Sequence, residues 1–417
     1  MADLTPGKLV IEGKTKQILD LPKLPGTVLV QSKDRITAGD GVRQHDMAGK
    51  AAISNATTCK VFELLNTVGV KTHFVKRASE TAFVAKKCEM VPIEWVTRRV
   101  ATGSFLRRNV GVKEGFRFNP PKQETFFKDD ANHDPQWSEE QLISNELKVG
   151  GITIGKDEVD FMTRTTLVVF EVLERAWASI DCALIDMKIE FGVYEGEIMV
   201  ADVVDSDSWR LWPSGDKRLM KDKQVYRDLK AVTQEALEEV KSNFRWIAER
   251  LESLLPAPKA LVVVLMGSPS DEEHCKKIAK TCRDLGVPCQ MRVTSAHKGT
   301  GETLAVLAQY EGSGVPTVFI AVAGRSNGLG PVLSGNSSYP VINCPPVKAE
   351  NALKDIWSSL DVPSGLGCTT VIYPEAAGLA AAQILGLHDH VIWSRLRVRS
   401  LNNFLSLKAA DKKTREF

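Results

Sequence analysis

From residue 261 onward the chain alternates short apolar strands with helices, and that alternation leaves few folds open. Leu261–Met266 is an unbroken apolar run. A helical pattern follows from about Asp271 to Leu285, with Cys275, Ile278, Ala279, Cys282 and Leu285 on one face and Gly286 placed to cap it. Cys289–Val293 and Thr317–Val322 read as further strands, with a helix around Glu302–Tyr310 between them. Val341–Ile342, Thr370–Ile372, a small-residue helix from Pro374 to Leu385 and a last helix through Trp393–Leu407 continue the series. Such alternation predicts a doubly wound α/β domain, its parallel sheet covered on both faces. Three successive strands empty into small polar loops: Gly267-Ser268-Pro269-Ser270-Asp271, Ser295-Ala296-His297-Lys298, and Ala323-Gly324-Arg325-Ser326-Asn327-Gly328. Loops of that kind mark a ligand crevice at the carboxyl edge of an open sheet.

The rest of the chain reads differently. A length of 417 residues suggests two or three domains at roughly 150 residues each. The clearest boundary is Leu255-Pro256-Ala257-Pro258-Lys259, where proline stops a long helix expected over about Gln224–Leu254. This predicts one domain over 1–255 and a second over 260–417. The first looks mixed α+β. Residues 9–11, 17–19 and 27–31 read as strands in hairpins, 49–69 and 157–180 as helices, and 183–191 with 197–204 as a hairpin. Residues 119–139, rich in proline and charge, read as a surface connection. A net charge of +2 argues against nucleic acid or an anionic membrane as partner. No run approaches the ~20 apolar residues of a membrane helix, no secretory signal opens the chain, and the eight scattered cysteines read as reduced thiols of a cytosolic protein.

Three clusters in the first domain could carry chemistry. Glu12-Gly13-Lys14-Thr15-Lys16 is not a P-loop, because Gly7 lies one residue too far back and no helix follows. Residues two apart on a strand share a face, so Lys14 and Lys16 would point one way, beside a glycine turn suited to a triphosphate. On spacing alone a solvated basic hairpin is the more favoured reading. Asp186, Lys188 and Glu190 likewise share a face, and the paired strand brings Asp202, Asp205 and Asp207, then Ser208, Arg210 and Trp212. Hard carboxylate oxygens suit Mg²⁺; an exposed, salt-bridged hairpin fits the pattern equally. In Glu94–Ser104, Arg98 and the Gly103-Ser104 turn offer a clamp for phosphate or carboxylate, or only a surface ion pair.

In the second domain, Ser268 and Ser270 sit where a strand meets a helix N-terminus, a favourable place for phosphate. Asp271 is either the helix cap or a ribose ligand. A lone histidine is more often structural than catalytic, but His297 lies in the middle one of three converging loops. An imidazole there takes and returns protons at physiological pH, and Lys298 beside it supplies charge.

Glu12–Lys16, Asp34–Asp40, Glu94–Ser104, Asp186–Gly192 and Asp202–Trp212 together resemble the signatures of the phosphoribosylaminoimidazole-succinocarboxamide (SAICAR) synthetases of purine biosynthesis, over about residues 8–230. The resemblance implies an ATP-binding domain in which Lys14, Lys16 and Glu190 hold ATP and Glu190 and Asp202 hold Mg²⁺. Arg98, Ser104, Asp207 and Arg210 would hold the carboxyaminoimidazole ribotide (CAIR). Where the family often carries two acids, Asp202-Val203 has one, with Asp205 a substitute ligand.

Residues 260–407 resemble the phosphoribosylaminoimidazole carboxylases that use CO₂ directly. The likeness rests on Gly267–Asp271, Ser295–Lys298, Ala323–Pro331 and Ser364–Cys368, and Lys298 stands where the bacterial branch commonly has Arg. It implies His297 and Lys298 as catalytic groups, with Ser268, Ser270, Asp271, Ser295, Lys298, Ser326 and Gly328 around aminoimidazole ribotide (AIR) and CO₂, and needs neither biotin nor metal. The two halves in this order resemble the bifunctional arrangement of animal purine biosynthesis: AIR and CO₂ give CAIR, and CAIR, L-aspartate and ATP give SAICAR. A cytosolic homo-octamer joined through the carboxylase domains is implied too. Two other readings are a nucleotide-binding scaffold with degenerate sites and an ATP-dependent kinase fused to a Rossmann-like module.

Overall fold

The structure is a computed structural model that describes residues 4–38, 43–229, 232–347 and 352–415. The chain divides into two compact units, one of residues 1–255 together with those from Val398 on, the other Pro256–Arg397. The expected second domain ran to the C-terminus; here the end of the chain counts with the first unit.

The first unit opens with β1 (Leu9–Glu12), β2 (Lys16–Asp20), β3 (Thr27–Ser32), the paired β4 (Arg35–Ala38) and β5 (Arg43–Asp46), helix α1 (Lys50–Val68), β6 (Phe74–Arg77) and β7 (Ala82–Lys86). Their main sheet has the order β1-β2-β3-β7-β6 and is antiparallel throughout. Next come β8 (Glu89–Met90), β9 (Ile93–Val100), α2 (Ser104–Arg108), β10 (Arg117–Phe127), β11 (Gln136–Trp137), α3 (Glu139–Ser144), β12 (Lys148–Val149) and β13 (Ile152–Thr153). Helix α4 (Lys156–Ala178) then leads into β14 (Cys182–Tyr194), β15 (Glu197–Ala201) and β16 (Trp209–Pro213). Strand β14 is the spine of this second sheet: it pairs with β8, β9, β15 and β16.

Two sequence expectations fail here. Residues 119–139 are not a surface connection, since most of their first half belongs to β10, which pairs with β9. The long helix over 224–254 is broken into α5 (Gln224–Asp228), α6 (Gln234–Ala248) and a short 3₁₀ turn, Leu251–Leu254. Leu229 is extended, and the Thr233 side chain accepts a hydrogen bond from the Ala236 N–H, starting α6 afresh. The apolar face survives the break, with Leu237, Val240 and Phe244 buried against Ile36 and Tyr226 and Ile247 buried further along.

The second unit follows the predicted alternation closely: β17 (Leu261–Met266), α7 (Glu272–Asp284), β18 (Cys289–Val293), α8 (Thr300–Glu311), β19 (Thr317–Val322), α9 (Leu329–Gly335), β20 (Val341–Asn343), α10 (Ala352–Asp355), α11 (Trp357–Leu360), β21 (Thr369–Thr370), α12 (Pro374–Leu385) and α13 (His390–Arg415). All pairings are parallel, in the order β18-β17-β19-β20-β21. Side chains alternate between faces, so Val262, Val264 and Met266 enter a core with α7 and α12, while Val263 and Leu265 enter another with α8 and α9. β18 is one of the two edge strands, and Met291 and Val293 on it are exposed. The last helix starts earlier and runs further than Trp393–Leu407.

Polar side chains are also buried in the first unit, and His73 is one of them. His73 is buried between the rings of Phe62 and Phe83, at centroid distances of 5.2 and 5.7 Å, and its Nε2 has no hydrogen-bond partner. Burial, with Lys16 nearby, pushes its imidazole down to about 3. The unfolded chain therefore takes up this proton near the ordinary value of 6.5 while the folded chain refuses it, and stability is lost as pH falls from 6.5 towards 3. His73→Phe is expected to flatten that fall, read as a urea midpoint for the first unit that changes less between neutral and acid pH than wild type. A midpoint with the wild-type pH dependence would contradict the assignment.

Candidate functional sites

The period of β14 sets the first site. Asp186, Lys188 and Glu190 lie two apart and share one face. The neighbouring strands bring matching residues: Asp186 is opposite Arg98 of β9 and Arg210 of β16, and Glu190 is opposite Ala201, one residue before Asp202. One carboxylate oxygen of Asp186 accepts from Arg98 at 2.7 Å and from Arg210 at 2.5 Å. Arg98 also donates to Glu124 of β10 at 2.5 Å, and Glu124 accepts from Arg108 at 2.7 Å. Arg98, Glu124 and Asp186 are almost wholly buried.

Higher on the same face, Glu190 accepts from Lys128 at 2.8 Å and Lys188 at 2.7 Å, and Lys188 also reaches Glu94 at 2.8 Å. Burial alone would raise the Glu190 carboxyl, but Lys188, Lys128 and Lys16 outweigh it and hold it at about 2. Lys16 pairs with Asp202. Lys14 lies in the turn between β1 and β2, half exposed, and pairs with Asp130 at 2.9 Å. Glu190 is therefore an ionised carboxylate held by ammonium groups, and Asp202 stands beside it as the partner of Lys16. Among the described residues no three His, Cys, Asp or Glu side chains gather as a metal cage. This donor set fits an ion such as Mg²⁺ that takes one or two carboxylates and completes its shell with phosphate and water.

Asp205 is close enough to act electrostatically on Lys16, the partner of Asp202. It accepts from the Asp207 backbone N–H at 2.9 Å, in a buried cluster where Asp207 meets Lys223 at 3.1 Å and Lys50 at 3.5 Å. Burial and the neighbouring Asp207 push the Asp205 carboxyl up; Lys50 and Lys223 overcome burial at Asp207 and hold it at about 2. The second oxygen of Asp207, Oδ1, is buried without a hydrogen-bond partner.

A cavity of about 680 Å³ opens beside these groups, lined by Gly103, Ser104 and Arg210. Arg43, Arg107 and Arg227 line it too, and sequence reasoning passed over all three. They lie far apart in the chain, and only the packing of α2, β5 and α5 gathers them. Arg98 is not among the lining residues; it braces Arg210 through Asp186. Gly103 has to be glycine, since its φ is +60° and a Cβ would stand 2.6 Å from the Arg210 guanidinium. A second cavity, about 580 Å³, is lined by Glu12, Gln17, Lys33 and Asp34 among others, and Lys33 ties it to the turn by donating to Glu12 at 2.7 Å and to the Gly13 carbonyl at 3.0 Å.

In the second unit, β18, β17 and β19 are adjacent and parallel, so their three loops leave the same edge. The Ser268 and Ser270 hydroxyls are 2.9 Å apart in a 3₁₀ turn. Asp271 takes the cap position of α7 without a side-chain cap bond. Ser295 Oγ accepts from the Lys298 N–H at 3.3 Å, and His297 and Lys298 are exposed. The imidazole of His297 lies on Gly328: a Cβ there would be 2.7 Å from Nε2. The Ser326 carbonyl accepts from the Gly328 N–H at 2.9 Å. Asn327, to which the sequence assigned no role, pins this loop through Asn343, Ser359 and the Gly330 N–H, each at 3.0 Å.

The SAICAR synthetase family matches residues 9–243, and the AIR carboxylase family matches residues 261–403. A bifunctional phosphoribosylaminoimidazole carboxylase/phosphoribosylaminoimidazole succinocarboxamide synthetase of Drosophila melanogaster is 63% identical over 98% of this chain and 96% of its own length. The Homo sapiens protein of the same name is 59% identical over 99% of this chain and 98% of its own. Among solved structures, a phosphoribosylaminoimidazole-succinocarboxamide synthase from Ehrlichia chaffeensis aligns with 60% of this chain and all of its own at a TM-score of 0.53 and 26% identity.

Removing one member of a buried ion network leaves its partners charged and uncompensated, at about 3–5 kcal/mol. Asp186→Asn is therefore expected to destabilise the first unit by roughly that amount. Arg107→Gln, on an exposed side chain, is expected to change stability by less than about 0.5 kcal/mol. Urea denaturation of both variants checks this, and equal stabilities would contradict the brace assigned to Asp186.

Proposed function

The chain belongs to the family of bifunctional AIR carboxylase and SAICAR synthetase enzymes of purine biosynthesis, and from that premise we propose how its residues divide the two reactions. The second unit carboxylates AIR with CO₂ to CAIR. The first condenses CAIR with L-aspartate, consuming ATP and releasing ADP, phosphate and SAICAR. The observation that carries this reading is the separation of two unlike sites: a lysine-, arginine- and carboxylate-rich face in one unit, and an imidazole over a glycine in the other.

In the first unit a carboxylate is a poor electrophile, so ATP phosphorylates the CAIR carboxyl. The aspartate amine attacks the acyl phosphate and phosphate leaves. Lys16 and Lys14 hold the ATP phosphates, and Glu190 the nucleotide. Glu190 and Asp202 would hold Mg²⁺, which when bound neutralises phosphate charge. Arg210, Ser104 and Asp207 bind CAIR, with Asp207 Oδ1 the free acceptor, and Arg98 serves by fixing Arg210 through Asp186. These roles are positioning and charge neutralisation, the main devices of phosphoryl transfer.

In the second unit Ser268, Ser270 and Asp271 hold the ribotide on one side, and Ser295, Ser326 and Gly328 on the other. The electron-rich ring carbon attacks CO₂ and His297 then removes the ring proton from that carbon. Lys298 supplies charge to the forming carboxylate. Neither biotin nor a metal is assigned to this step. The exposed Met291 and Val293 of the edge strand β18, with Tyr373 and Leu387, support a homo-oligomer joined through this unit, and the family resemblance implies that it is an octamer. The eight free cysteines suit the cytosol.

His297→Asn is expected to abolish conversion of AIR and bicarbonate while leaving ADP formation from CAIR, aspartate and MgATP within about twofold of wild type. Gly328→Ala, which puts a methyl group against the imidazole, should act in the same direction. Lys16→Met should do the converse, lowering synthetase turnover about 10²–10³-fold with carboxylation intact. Replacing Lys14 should also spare carboxylation; loss of carboxylation in either lysine variant would sink the two-site division.

A further inference from the structure

Helix α13 carries more than the end of the second unit. From Val398 onward it counts with the first. Val398, Leu401, Phe404, Lys408, Lys412 and Arg415 recur at threes and fours and so form one stripe along it. The stripe begins apolar: Val398 and Leu401 are buried. Val398 packs where α1 ends at Gly69, whose φ is +96° and whose carbonyl accepts from Asn402 at 3.3 Å. The Arg164 guanidinium of α4 lies 3.9 Å from the ring of Phe404. The stripe ends basic, on the acidic first turns of α4. Lys408 sits between Asp157 at 3.0 Å and Asp160 at 2.9 Å, Lys412 meets Glu158 at 2.8 Å, and Arg415 meets Asp157 at 2.5 Å.

Each pair alone would be worth little, because exposed ion pairs are screened and cost side-chain freedom. Here the pairs form a network on shared acids. The other oxygen of Glu158 accepts from the Gly155 N–H at 3.0 Å, so one side chain both caps α4 and holds the tail. Helix α4 packs on β14 and β9, and its Glu174 grips Arg99 of β9 at 2.6 Å through two bonds. The start of α4 is thus an end of the frame on which the synthetase face is built.

We propose that the C-terminal segment from Val398 to Arg415 is a basic clasp belonging to the synthetase unit, and that its docking partner is the acidic N-terminal end of α4 in the same chain. The segment that closes the sequence after the carboxylase fold serves the stability of the other reaction's scaffold. This does not depend on the substrates assigned above.

The test uses the full chain and hydrogen exchange by mass spectrometry, read on peptides over residues 156–164. In Lys408→Glu/Lys412→Glu/Arg415→Glu those amides should exchange roughly tenfold faster than wild type. The neutral Lys408→Gln/Lys412→Gln/Arg415→Gln should lie between. Raising NaCl from 0.05 to 0.5 M, across which the Debye length shrinks from about 14 to about 4 Å, should speed exchange in wild type but not in the neutral variant. Carboxylation of AIR should be unchanged in both variants, and synthetase activity should survive heating for a shorter time. Wild-type exchange over 156–164 in the reversal variant, or salt dependence retained in the neutral one, would overturn the clasp. Should the reversal variant fail to fold, the neutral variant and its salt response decide.

Discussion

Much of the first unit turns on one carboxylate. Asp186 is 4% exposed and its Oδ2 receives two guanidiniums, Arg98 from β9 and Arg210 from β16. The three strands are hydrogen-bonded neighbours, so the ion network fixes their mutual register as well as their charge. A slip of one residue would turn Asp186 to the other face and leave Arg98 buried with Glu124 alone. Burying these charges costs desolvation that their attraction does not clearly repay. What the network supplies is geometry: Arg98 and Asp186 lock Arg210, and Arg210 is the member that reaches the cavity.

The second unit holds its site by close approach and not by charge. A Cβ on Gly330 would collide with Asn343 Oδ1, and one on Gly328 would stand 2.7 Å from the imidazole. These glycines let two polar side chains come in against backbone. Asn343, at the end of β20, holds Asn327, and Asn327 fixes the loop on which His297 rests. The difference suits the chemistry assigned to each unit. Phosphoryl transfer needs standing charge, whereas removing a ring proton needs a neutral base at a fixed distance from a small substrate.

What was legible in the sequence follows from which signals are local. The parallel sheet was legible because its central strands β17 and β19 are apolar but for Thr317, and the shared face of Asp186, Lys188 and Glu190 because a strand has a period of two. β10 was not. Pro120 and Pro121 give no N–H to a ladder, and its register with β9 duly shifts between Arg117 and Lys122. Glu124 is charged yet 4% exposed only because Arg98 and Arg108 neutralise it. The apolar spacing over 224–254 ran through the break at Leu229, which the cap signal of Thr233 could have marked. Arg43, Arg107 and Arg227 carried no motif, since nothing but tertiary packing joins them.

The last helix shows why apolar periodicity alone misplaces a boundary. Its apolar spacing fades near Leu407, where the predicted helix ended, but the stripe continues in Lys408, Lys412 and Arg415. A helix face that meets acids is as periodic as one that meets a core, and it is invisible to a search for hydrophobic residues. The same holds at the other end of the contact. Asp157, Glu158 and Asp160 open α4, where the helix dipole favours acids, so their presence needed no partner to explain it. Two segments, each locally unremarkable, are therefore complementary only when the fold brings residues 157–160 and 408–415 together. Where a chain joins two enzymes, the limits of a catalytic family and of a folded unit need not fall at the same residue.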